Sequence, residues 1–190
     1  MRRTSGIVLL TAALMFILAP APARAEGFFI PWVGVNFGND PADGRASFGA
    51  SAGYMGAGII GGELDFGYSP SFFGTENDFG NNNVLTGMAN VIVGVPIGGT
   101  TGGGMRPYLT GGVGLIRTQI DGLFDDLDGV SNNDFGFNLG AGVMGYFNDH
   151  VGLRGDIRYF RNVHEEDDGD VDFDLGGFDF WRASIGLVIR

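Results

Sequence analysis

The 190-residue chain contains no cysteine and no lysine. Without cysteine there is no disulfide framework and no thiol chemistry, whatever the redox compartment. All 11 cationic side chains are arginine, and histidine occurs only as His150 and His164. After residue 25 no run reaches the ~20 apolar residues that a membrane-spanning helix needs. Any crossing of a membrane must therefore be made by strands. Basic patches are also missing. Arg2, Arg3 and Arg24 lie in the first 25 residues, so residues 26–190 set eight arginines against 22 acids, a net charge of −14. That balance argues against a nucleic-acid partner, because phosphate backbones are held by clustered cations. A phosphate-binding loop is absent too: Gly102-Gly103-Gly104 runs into Met105, with no Lys-Ser/Thr and no helix to follow.

What is present begins with an address. Arg2 and Arg3 form a positive start, Ile7 to Leu18 an apolar stretch, and Ala23-Arg24-Ala25 an A-x-A cleavage site before Glu26. Residues 1–25 are expected to be a signal peptide that is removed on export. The arginine pair lacks the rest of a twin-arginine motif, which points to export unfolded. Residues 26–190 then form one domain of ordinary size.

That domain alternates apolar with small or polar residues in eight short segments, near 27–38, 46–56, 58–70, 82–96, 105–120, 135–147, 151–164 and 180–190. In 151–160, Val151, Leu153, Gly155, Ile157 and Tyr159 fall on one face. Gly152, Arg154, Asp156, Arg158 and Phe160 fall on the other. In 61–68, Leu64, Phe66 and Tyr68 alternate with Glu63 and Asp65. A period of two is the signature of a strand. The 36 glycines recur inside these segments instead of forming a linker. Gly61, Gly111, Gly112, Gly140 and Gly142 fit close packing in a narrow barrel.

The connections alternate as well. Residues 39–45, 71–81, 121–134 and 165–179 are long and polar, and hold 17 of the 22 acids. Between them lie tight links near Gly56-Ala57, at 98–104 and at Asn148-Asp149-His150. Long loops on one side and short turns on the other describe an up-and-down barrel in an outer membrane. The expected fold is an all-β, eight-stranded antiparallel transmembrane barrel preceded by the signal peptide. Its rival is a soluble barrel of lipocalin type, with the apolar face turned inward. Alternation alone does not separate the two. Aromatics near segment ends (Phe28, Phe29, Trp32, Phe37, Tyr68, Tyr108, Phe147, Tyr159, Phe180 and Trp181) suggest girdles at the two membrane interfaces.

Several segments together resemble the OmpA-like and OmpW-like outer-membrane β-barrel family, which includes small opacity-type, porin-like proteins. They are IPWVGVNFG at 30–38, GGELDFGYSPSFFG at 61–74, RPYLTGGVGLIR at 106–117, FGFNLGAGVMGYF at 135–147, GLRGDIRYFR at 152–161 and RASIGLVIR at 182–190. The resemblance implies the cell outer membrane of a Gram-negative-type envelope, outer-membrane lipids and lipopolysaccharide as surroundings, and insertion by the barrel-assembly machinery. It also implies a monomer, and leaves room for a host or surface ligand. One departure is the ending Val188-Ile189-Arg190, where the family carries an aromatic residue.

The candidate site lies inside the barrel. Glu63, Asp65, Arg154, Asp156, Arg158 and Arg182 share the inward face of strands three, seven and eight. Strands three and seven are opposite one another in an eight-membered ring. Such a ring is just wide enough for side chains to fill, and buried charges are costly unless paired. A carboxylate–arginine network across the lumen is expected, with Asn90 and Asn138 adding hydrogen bonds. Its plain meaning is a plug; an ion-selective constriction is the alternative.

A second cluster is the acidic run 165–174. Asp168, Asp170, Asp172 and Asp174 would share one face of an extended strand, and hard cations such as Ca²⁺ favour such oxygens. Phe173 occupies the place of the glycine of an EF-hand loop, so solvated charge is the plain reading and no metal site is assigned. Catalysis has little to stand on. His164 sits near the outer rim beside Glu165 and Glu166, but no nucleophile is specified; His150 reads as a turn residue. The expected function is a non-enzymatic surface protein, without cofactor, that supports envelope integrity or adhesion through acidic loops. The alternatives are a narrow channel for small solutes and, last, a lipid A-modifying enzyme.

Overall fold

The period-two segments all become strands. The computed structural model describes residues 25–38, 44–72, 82–120, 130–162 and 178–190. These hold β1 (Ala25–Phe37), β2 (Arg45–Gly56), β3 (Ile60–Pro70), β4 (Asn82–Gly94), β5 (Gly104–Ile120), β6 (Val130–Tyr146), β7 (Val151–Asn162) and β8 (Asp179–Ile189). Each strand pairs antiparallel with the next, and β8 pairs back onto β1, so the sheet is a closed barrel. Closure leaves no unpaired edge.

The short turns gather at one end, here the turn end, and the long connections at the other, the loop end. Gly56–Ile59 shows how the tight links work. Ile59 N–H donates to Gly56 O at 3.0 Å, and Ala57 and Gly58 both take positive φ, 49° and 69°. That is the type I′ geometry whose twist matches the flanking strands. At the β6–β7 turn, Asn148 Oδ1 accepts from the backbone N–H of His150 and Val151, both at 2.9 Å. The main difference from the expected boundaries lies in β6. It starts at Val130 and pairs with β5 as far as Ile120, so residues 130–134 are strand and not loop. Continuous cross-strand pairing outweighs the low strand propensity of Ser131, Asn132, Asn133 and Asp134.

The barrel turns its apolar face outward. Leu109 is 66% exposed and Val33 60%, whereas Glu63 is 3% and Arg158 0% exposed. Phe66, Leu139 and Ile185 continue the outward band. A soluble barrel would not leave so broad an apolar wall in water, so the lipocalin-like arrangement does not hold.

The aromatic girdle needs correction. Phe29, Phe37, Phe147 and Trp181 do face outward, but Phe28, Trp32, Tyr108 and Phe180 are buried in the lumen. Nearness to a strand end does not decide the face; parity along the strand does. Trp32 shares its parity with Asn36, and Tyr108 with Arg106, so both point inward.

The lumen is consequently layered. Toward the turn end lies an apolar cluster of Phe28, Ile30, Met55, Ile92, Tyr108, Met144, Tyr146 and Val188. Toward the loop end lies another, of Phe72, Val84, Met88, Ile116, Phe160 and Phe180. In the second, Phe160 and Phe180 stack with centroids 4.9 Å apart, and Phe72 meets Phe180 edge-on at 5.1 Å. Glu63, Asp65, Arg154, Asp156, Arg158 and Arg182 form a belt between these layers.

Candidate functional site

The belt is built on facing strands. β3 brings Glu63 and Asp65 inward, and β7, across the barrel, brings Arg154, Asp156 and Arg158. Alternation alone puts 154, 156 and 158 on one face, so one strand presents a carboxylate between two guanidiniums.

Glu63 is the hub on the β3 side. It is ion-paired with Arg154, and with Arg158 Nη2 at 2.7 Å. Asn90 Nδ2 donates to Glu63 Oε1 at 3.0 Å, and Asn138 Nδ2 donates to Asn90 Oδ1 at 2.6 Å. Asp156 is the hub on the β7 side. Its Oδ2 accepts from Arg154 Nη2 and Arg158 Nε, both at 2.7 Å, and from the Tyr108 hydroxyl at 2.9 Å. Its Oδ1 accepts from Ser184 Oγ at 2.9 Å. Asp65 and Arg182 form a neighbouring pair at 2.6 Å, with Ser51 Oγ donating to Asp65 at 2.8 Å. The Arg182 guanidinium lies between aromatic faces, 4.1 Å from the Trp32 ring centroid and 4.7 Å from that of Phe160.

All six residues singled out from the sequence thus meet in one belt, Glu63, Arg154, Asp156 and Arg158 as a connected network and Asp65–Arg182 as a pair beside it. Three carboxylates face three guanidiniums, so the belt is charge-balanced and each charge has a partner at close range. Glycines make the room. A Cβ on Gly67 would come within 2.7 Å of both Arg182 Nη1 and Thr86 Oγ1, and one on Gly140 within 2.7 Å of Arg158 Cγ.

Sequence reasoning missed three members: Tyr108, Ser51 and Ser184. Their parity was the available signal, since Ser51 shares it with Ser47, and Ser184 with Arg182. It also missed a clasp at the turn end. Glu26 Oε2 accepts from Arg106 Nη2 at 3.2 Å and from Arg190 Nη1 at 3.0 Å. Arg190 stacks on Tyr146, 3.6 Å from the ring centroid, and donates to the carbonyls of Thr100 and Asn148. Glu26 and Arg190 are 164 residues apart in sequence, so the clasp joins the first strand to the residue that follows the last. Asp168, Asp170, Asp172, Asp174 and His164 lie outside the described residues. His150 is exposed in the β6–β7 turn, far from the loop end.

The model of the outer membrane protein beta-barrel domain matches residues 9–180. The chain belongs to this family.

A family relative, the 22 kDa outer membrane protein of Rhizobium leguminosarum bv. viciae, is 28% identical over 175 residues. The match covers 87% of this chain and 77% of the relative. Among solved structures, Neisserial surface protein A aligns with a TM-score of 0.64 at 16% identity, over 87% of this chain and 98% of that one. The N-terminal barrel domain of Pseudomonas aeruginosa OprF aligns with a TM-score of 0.54 at 18% identity, over 86% and 96%. These two likenesses concern the fold. The protein is an outer-membrane β-barrel protein, and it resides in the cell outer membrane.

Proposed function

We propose that this family member is a non-enzymatic barrel with a filled lumen, which supports envelope integrity or surface interaction through its acidic loops. The observation that carries this reading is the layering of the lumen: apolar, charged, apolar. Water would have to displace two hydrophobic clusters and a neutralised ion-pair belt to form a continuous column. Side chains, not a channel, occupy the interior that eight strands enclose.

In this reading residues 1–25 direct export and are removed, the barrel-assembly machinery inserts residues 26–190, and the loop end faces outward. The protein is a monomer surrounded by outer-membrane lipids and lipopolysaccharide. Its loops, rich in carboxylates, are the surface offered to a host or surface ligand. Lipid A modification finds no support in the belt, where every carboxylate is engaged by arginine.

Planar-bilayer recording with the refolded protein tests the reading. A filled lumen predicts no stable single-channel steps. Reproducible unitary steps that scale with ion concentration would favour the narrow channel and reject the plug.

A further inference from the structure

The turn end holds one connection that is longer than its hairpin requires. Ile97 and Met105 exchange both backbone hydrogen bonds, at 2.8 and 2.9 Å. A pair bonded in that way can be closed by a two-residue turn, as Ala57 and Gly58 close β2 onto β3. Here the whole segment 98–104 intervenes. The extra residues do not serve the hairpin, so their contacts show what they do.

Those contacts run across the mouth of the barrel. The segment joins β4 to β5, which stand opposite β8 and β1 in the ring. Yet Arg190, which follows β8, donates to the carbonyls of Thr100 at 3.3 Å and Gly102 at 3.5 Å. The Gly102 N–H donates to Asp149 Oδ1 in the β6–β7 turn. A loop of this length that goes out and returns reaches about 12 Å from its base, far enough to meet Arg190 over the opening. Arg190 Nη1 serves both Thr100 O and Glu26 Oε2. The segment therefore lies against the Glu26–Arg106 pair, itself a link from β1 to β5 across the ring. Arg106 is 2% exposed although it is the first inward residue of β5.

The segment is held in place by polar contacts and little packing. Thr100 and Gly102, the residues that Arg190 touches, are half-buried, while Gly99, Thr101 and Gly103 are exposed. A Cβ on Gly99 or Gly102 would meet nothing within 4 Å. With few apolar contacts to fix it, the segment depends on Arg190 and Asp149 for its position. Gly98 and Gly99 take φ of 90° and 97°, a region that glycine enters freely, so the backbone can hinge there.

We propose that residues 98–104 are a hinged strap that shuts the turn-end mouth, with Asp149 and Arg190 as its latch. Shut, the strap covers the Glu26–Arg106 pair. Open, it swings out from the Ile97–Met105 pair and admits water to Glu26, Arg106 and Met55, the register partner of Glu26. The apolar layers and the belt stay in place in both positions, so the inference stands apart from the filled-lumen reading.

The test places a single cysteine, Met55→Cys, in this cysteine-free chain. Met55 is fully buried, and its sulfur accepts a hydrogen bond from Arg106. Labelling of the refolded protein by a small water-soluble thiol reagent is followed over time in three backgrounds. They are the parent, Asp149→Ala, and a chain in which the dipeptide Asn-Gly replaces residues 98–104. Asp149 is exposed, and heat-dependent gel mobility verifies that each protein is folded. The parent is expected to label slowly. Asp149→Ala should label about tenfold faster, from the loss of a hydrogen bond to a charged acceptor, and the Asn-Gly chain at least as fast as that. If Met55→Cys does not give the folded band, Val188→Cys in the same buried cluster carries the comparison. A folded Asp149→Ala protein that labels at the parent's rate, or a parent that labels as fast as the Asn-Gly chain, overturns the proposal.

Discussion

Asp156 accepts four hydrogen bonds, two from guanidiniums, one from Tyr108 and one from Ser184. Replacing it by asparagine keeps the volume but removes the charge that Arg154 and Arg158 share. Leaving buried arginine charge uncompensated costs about 3–5 kcal/mol. Tyr108→Phe removes one hydrogen bond to a charged acceptor, a loss of about 1.5–3 kcal/mol. The urea midpoint of the refolded protein should fall for both, and further for Asp156→Asn. Equal midpoints for the two variants would contradict the role given to Asp156. Gly67→Ala tests the space instead of the charge. Its Cβ would press on Arg182 Nη1 and Thr86 Oγ1, so the Asp65–Arg182 pair must shift and the midpoint should drop. A wild-type midpoint would mean that Arg182 has room to move.

At the scale of the strands, the seam between β1 and β8 differs from its neighbours. β5 and β6 pair without a break over 17 residues each. The β1–β8 register passes from Phe29–Ile189 to Trp32–Gly186 and omits Ile30 and Pro31. Proline has no N–H to give to a ladder. Amide exchange should accordingly be faster at Leu187 and Val188 than at Leu139 and Asn138 in mid-β6. Equal protection would show that the seam is as tight as the rest.

The strands themselves were legible because each carried one largely apolar face, as in β7 from Val151 to Tyr159 and in β8 from Trp181 to Ile189. The charged belt was legible for the same reason: Glu63, Asp65, Arg154, Asp156, Arg158 and Arg182 interrupt otherwise apolar alternation. The apolar layers were not. In β1, Phe28, Ile30 and Trp32 alternate with Phe29, Pro31 and Val33, so both faces read as lipid-facing. Only Asn36, several residues on, fixes the parity. The start of β6 was hidden by polar residues whose strand conformation comes from pairing with β5. The clasp of Glu26 with Arg106 and Arg190 joins residues far apart in sequence, and no local pattern points to it.

Taken as a whole molecule, the barrel is an apolar wall around an interior that solves its own charge balance. An eight-stranded ring has too little room for both a water column and large side chains. This chain fills the space with aromatic and aliphatic layers on either side of a neutral belt. The expectation of no conductance belongs to this scale, and so does the stability that the belt confers on the closed form. The most direct measurement is the temperature at which the folded band of the outer-membrane fraction converts to the unfolded band on gels, for wild type and Arg158→Ala. Arg158 is fully buried and joins Glu63 on β3 to Asp156 on β7. If the belt ties the two sides of the barrel together, the variant converts at a clearly lower temperature. Conversion at the wild-type temperature would contradict the account.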